Sequence, residues 1–114
     1  MSEYVDGAVV RHYTTSAVAA AIDEGGGYIL PGASSRVVSV TTDEYADGAS
    51  AQAGLALART PDGYYEIPVS RIDGLSEPSV VEPAFGQPGG GTEMTTGSPI
   101  NVGGIPFRTF GGGS

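Results

Sequence analysis

The chain has 114 residues, only 39% of them apolar, with 13 Asp and Glu against five basic residues and a net charge of −8. All five cations are arginines (Arg11, Arg36, Arg59, Arg71, Arg108), too scattered to form a basic patch, so nucleic acid and anionic membranes are excluded as partners. With no cysteine there are no disulfides, no thiolate chemistry and no Cys-based zinc site.

Nineteen glycines and eight prolines are roughly double the usual combined share of about 12%, so part of the chain must be loop or extended segment. The lysine-free, acidic composition suits a protein kept soluble at high ionic strength, as in a halophile. Arg-, Ala- and Gly-rich codon usage in a GC-rich genome accounts for it equally well.

Residues 1–7 read as an acidic, exposed lead-in. Glu3, Asp6, Arg11 and His12 fall where a signal peptide would be apolar, and no apolar run approaches the length of a membrane span; the expectation is a soluble, unprocessed chain. Ala8 to Tyr13 has strand-forming residues. Thr14-Thr15-Ser16 then offers N-cap candidates for a helix over Ala17 to Ile22, closed by Gly25-Gly26-Gly27 and limited to a turn or two by the acids Asp23 and Glu24 at its C-terminal end.

Tyr28-Ile29-Leu30 is a short apolar run stopped by Pro31-Gly32. Arg36 to Thr41 is β-branched and reads as a strand, with Val38 and Val40 on one face. Thr42 to Gly48 reads as a single helical turn with a Thr cap and a glycine exit. The stretch from Gly54 to Ile72 reads as a β-hairpin around Thr60-Pro61-Asp62-Gly63, in which Gly63 takes a positive φ and Leu55 and Leu57 face Val69 and Ile67. Pro68 places the second strand at an edge or a bulge. Ser79 to Glu82 adds one more short strand.

After Pro83 the composition changes. Glycine and proline dominate and the apolar residues come singly, ending in Ile105-Pro106-Phe107-Arg108-Thr109-Phe110. A segment that merely solvates should be poor in aromatics. The organisation expected is a compact β domain over residues 1–82 and an extended Pro/Gly-rich C-terminal arm over 83–114. The arm orders on a partner through Phe107, Phe110, Ile105, Ile100 and Arg108, or else packs on its own domain. On the first reading, removing residues 100–114 leaves the domain folded.

A catalytic set is not legible, and the chain reads as a non-enzyme. The lone histidine, His12, has no second histidine or cysteine to complete a triad or metal site, and no serine stands in G-x-S-x-G. Without lysine there is no phosphate-binding P-loop and no Schiff base. Asp43, Glu44 and Asp47 form the densest acidic patch but lack calcium-loop spacing, so capping and solvation are expected of them and no metal or other cofactor is assigned.

The stretch Val38-Ser39-Val40-Thr41-Thr42-Asp43-Glu44-Tyr45-Ala46-Asp47-Gly48, followed by an expected small-residue strand and hairpin, resembles the capsid decoration, or cement, proteins of tailed bacterial and archaeal viruses. The resemblance spans about residues 28–72. It implies a small β-barrel or β-sandwich, which with the short helix read from the residues gives a mainly β fold with one short helix. It also implies a virion structural protein, commonly a homotrimer, that sits on the outside of a shell and binds the major capsid protein or another virion protein after assembly in the host cytoplasm. The arm after Pro83 is longer than that family needs. The competing readings are a tail or baseplate part and a carbohydrate- or small-ligand-binding module with Tyr28, Tyr45, Tyr64 and Tyr65 as stacking platforms.

Overall fold

The computed structural model describes residues 8–110; residues 1–7 and the last four lie outside it. Strand β1, Val9–Thr14, follows from its valines, tyrosine and threonine. Helix α1, Ser16–Glu24, starts where the Thr15 hydroxyl accepts from the Val18 N–H at 3.2 Å, and ends at Gly25. Asp62 adds a second cap from 46 residues away: its Oδ2 accepts from both the N–H and the hydroxyl of Ser16, each at 2.7 Å. These bonds hold the Asp62 carboxyl below its ordinary value, because they favour the charged form at a positive helix end.

Next come β2, Tyr28–Ile29, and β3, Val38–Val40, whose two valines are buried while Ser39 is exposed. Helix α2, Gly48–Leu55, is capped by the Asp47 carboxylate, which accepts from Ser50 N–H at 2.8 Å. Strand β4, Gly63–Pro68, precedes a 3-10 turn at Val69–Arg71; the remaining strands are β5 (Ser79–Val80), β6 (Thr92–Thr96), β7 (Ile100–Asn101) and β8 (Phe107–Thr109).

The fold is mainly β, with two short helices and antiparallel sheets. One sheet has the order β1-β4-β8, another β3-β6-β5, and β2 pairs with β7 alone. The two larger sheets are joined where Arg11 and Thr41 exchange backbone bonds of 2.7 and 2.9 Å. The outcome is a ribbon ordered β8-β4-β1-β3-β6-β5. Among the described residues its outer strands do not pair, so no closed barrel forms. Val10, Ile22, Ile29, Val38, Val40, Tyr65, Ile67, Met94, Ile100 and Val102 make one core between the sheets and α1.

Three expectations are corrected. Residues 54–72 do not form a hairpin: Gly48–Leu55 is helical, and β4 pairs instead with β1, in the register Arg11–Glu66 and Tyr13–Tyr64, and with β8. The alternation within β4 does hold, with Gly63, Tyr65 and Ile67 buried; Pro68 lies past the end of β8, where β4 has a free edge and needs no N–H donor. The helical turn expected over Thr42–Gly48 is absent, since Asp47 opens a helix rather than closing one, and among the described residues the α-helices number two rather than one. Finally, the long arm is not found among the described residues. β6, β7 and β8 enter all three sheets, and Met94, Ile100 and Val102 are core residues, because singly spaced apolar groups suffice when each lands in a different part of the core.

Candidate binding groove

The residues expected to anchor a partner are occupied within the fold. Ile100 is fully buried, with 0% exposure, and a side chain with no exposed surface cannot touch a partner. Ile105 and Phe107 pack against the core, Phe107 with its ring 5.3 Å from that of Tyr65. Phe110 is half-buried and stacks on Tyr13, centroids 5.8 Å apart and planes 10° from parallel. Arg108 is the exposed one of the five; its Nε stands 3.8 Å from Glu66 Oε1.

Around Phe110 lies a polar and aromatic cluster on the face of the β1-β4-β8 sheet that carries Arg11, Tyr13, Tyr64 and Glu66. The Arg11 guanidinium sits 4.1 Å above the Tyr64 ring, bonds Glu66 Oε2 at 3.0 Å and donates to the Tyr13 hydroxyl at 3.1 Å. That hydroxyl also accepts from Tyr45 N–H at 2.9 Å and donates to the Asp43 carbonyl at 3.1 Å. Asp43 Oδ2 in turn accepts from Thr92 N–H at 2.7 Å and from the Tyr45 hydroxyl at 3.1 Å. The tyrosine fits because neighbouring Gly54 and Gly91 have no side chains: a Cβ on either would run into its hydroxyl. Burial, and then the Asp43 charge, push the Tyr45 phenol up to about 12. With Arg11, Tyr13, Asp43, Tyr45 and Glu66 all bonded to one another or to the backbone, the polar part of this cluster is tied up within the fold. Of the four proposed stacking platforms it uses Tyr45 and Tyr64, Tyr65 is buried in the core, and Tyr28 alone is exposed.

The open surface lies elsewhere. A groove of about 480 Å³ runs between α1 and strands β2 and β3, lined by Val18, Ile22, Tyr28, Leu30, Val38 and His12 among others. Its rim carries three of the exposed large apolar residues: Val18 at 44%, Tyr28 at 45% and Leu30 at 67%. Among the described residues no charged side chain lines it, despite the net charge of −8. The local reason is simple. With Ile29 directed into the core, the alternation of a strand forces Tyr28 and Leu30 outward. An apolar run in which every second residue must face water was the signal in the sequence that could have located this surface.

His12 stands in this groove with its Nδ1 2.9 Å from the Ser39 carbonyl oxygen. A carbonyl only accepts, so Nδ1 carries the proton and the neutral ring keeps its lone pair on Nε2. Nε2 makes no hydrogen bond among the described residues and is not sealed from solvent. His12 and Ser39 also line a second hollow of about 250 Å³ beside Leu55, Leu57 and Glu93.

Burial holds the His12 imidazole below its ordinary 6.5, with the Ser39 bond opposing it in part. Above pH 6.5 the ring is neutral in both folded and unfolded chains and contributes no pH dependence. As the pH falls below 6.5 the unfolded chain takes up the proton first, so stability drops until the folded ring titrates. The melting temperature is therefore expected to fall between pH 6.5 and 5 in the native protein and to stay level there in His12→Asn, whose side-chain amide keeps a donor for Ser39. A level native curve would show a solvated histidine.

Comparison with protein-family models, with curated proteins and with solved structures finds no match for this chain.

Proposed function

We propose that this protein is a structural component of a virion that binds the outer surface of a viral capsid and stabilises the shell. The observation that carries the reading is the placement of large apolar side chains on the surface of an acidic, lysine-free chain. Singly exposed hydrophobes are ordinary. Here Val18, Tyr28 and Leu30 share one groove, while Val80 and Phe85, each 71% exposed, lie on β5 and in the loop that follows it. Apolar surface of this kind marks contacts with protein, membrane or ligand, and the net charge of −8, which opposes anionic lipid and nucleic acid, favours protein.

The resemblance of residues 38–48 to decoration proteins supports the same reading and suggests the major capsid protein as partner and a homotrimer as the assembled form. In the fold, that stretch is β3, the Thr41 bridge to β1, the Asp43 anchor and the Asp47 helix cap. Arg108, exposed beside Phe110, remains a candidate polar contact. The role proposed is structural and not catalytic. A glycan-binding module has less support, because three of its four tyrosines are built into the fold.

Sedimentation with purified shells tests the proposal. Leu30→Asp and Phe85→Asp alter exposed side chains and should leave the melting curve close to that of the native protein. Together they are expected to weaken shell binding at least tenfold, as truncated anchors do at interfaces. Undiminished binding of the double variant would contradict the proposal.

A further inference from the structure

We infer that the groove between α1, β2 and β3 is a docking site for a tyrosine side chain presented by a partner protein, with His12 Nε2 accepting its phenolic proton. The inference rests on the reading above for who the partner is, but not for the chemistry of the site. The lining is uncharged among the described residues, which disfavours a charged occupant, since none of these side chains would offset its desolvation. Val18, Ile22, Leu30 and Val38 instead offer an apolar body its surroundings, and Tyr28 offers a flat ring an aromatic neighbour.

The polar side chains of the lining are His12, Tyr28 and Ser39. The two hydroxyls turn to either role, whereas the tie between Nδ1 and the Ser39 carbonyl fixes His12 as an acceptor. The occupant that fits is therefore a neutral apolar group ending in one hydrogen-bond donor, which a phenol is. A protein-borne group is favoured over a free molecule by the open rim. Val18, Tyr28 and Leu30 would stay half in water around a small ligand, but are covered by the chain that carries a side chain.

The test is an NMR titration of the full chain with three probes: acetyl-Gly-Tyr-Gly-amide, the same peptide with Phe, and p-cresol. The readouts are the methyl resonances of Ile22, Leu30 and Val38 and the His12 ring ¹⁵N shifts. The Tyr peptide is expected to bind about fivefold more tightly than the Phe peptide, the worth of one neutral hydrogen bond. It should also bind more tightly than p-cresol, and it should move the Nε2 shift. In His12→Asn, whose amide NH2 keeps the donor to Ser39 and whose shorter side chain leaves its carbonyl oxygen short of the place of Nε2, the preference for Tyr over Phe should vanish while both still bind. Leu30→Asn, at an exposed position, should weaken all three probes. Equal affinity for the Tyr and Phe peptides in the native protein overturns the role of His12 and with it the inference. Binding of p-cresol at least as tight as that of the Tyr peptide makes this a small-molecule site and also overturns it, as does the absence of saturable binding. Since no shells are present, failure here is distinct from failure of shell attachment.

Discussion

Deletion of residues 100–114 is expected to unfold the protein, leaving no cooperative melting transition, rather than to release a dispensable tail. The deletion removes β7 and β8, which are the partner of β2 and one partner of β4. It also removes Ile100 and Val102 from the core and the packing of Ile105 and Phe107 against it. Burying an Ile or Val is worth about 1.5–3 kcal/mol, so the two wholly buried residues alone contribute about 3–6 kcal/mol. Net stability of a domain is about 5–15 kcal/mol. The loss of pairing and of the half-buried aromatics comes on top. A truncated protein that still melts cooperatively near the native temperature would show that residues 100–110 are an appendage after all.

The second large effect is expected at Gly63. In the sequence this residue reads as a turn glycine needing positive φ, for which alanine would cost about 1 kcal/mol. The structure gives a different and stricter reason. Gly63 does not have a positive φ; it is the first residue of a strand flanked on both sides, opposite Thr14 and Thr109. A Cβ there would overlap the Arg108 carbonyl oxygen and stand 2.8 Å from its carbon and 2.9 Å from Thr109 Cα. These are backbone atoms and cannot swing aside, so β8 would have to leave its register. Gly63→Val should cost on the order of 3 kcal/mol or more and lower the melting temperature by roughly 10 °C. Gly63→Ala should follow close behind. Gly74→Ala is the control, because Gly74 has φ +64 with nothing within 4 Å of the added carbon and pays only the backbone strain. Equal shifts for the two alanine variants would contradict the crowding account.

What the sequence discloses here divides by range. Local signals read true: the strand-forming runs of β1 and β3, the Thr15 cap and the triple glycine after α1 are decided by residues within a few positions of one another. The hairpin does not form because the helix formers just before Leu55-Ala56-Leu57-Ala58 override the two-residue alternation of that stretch. Ala49, Ala51, Gln52 and Ala53 favour a helix, and Asp47 supplies its cap. Strand β4 then takes its partner from Val9–Thr14, far back in the chain, which no local pattern reveals. The same holds for the last third of the chain. Met94, Ile100 and Val102 look isolated in a Gly- and Pro-rich sequence and become core only once three sheets converge on them. At the candidate site, Tyr28 and Leu30 were visible as an apolar run. The part played by His12 was not, since it depends on the Ser39 carbonyl 27 residues away.

The central claim is that this chain works as an attached part of a viral shell, and quantitative mass spectrometry of purified virions tests it most directly. The account predicts that the protein is present in a fixed ratio to the major shell protein and is lost from intact particles under mild surface proteolysis while the shell protein survives. Its absence from purified particles, or its presence in only a few copies per particle, would contradict the claim.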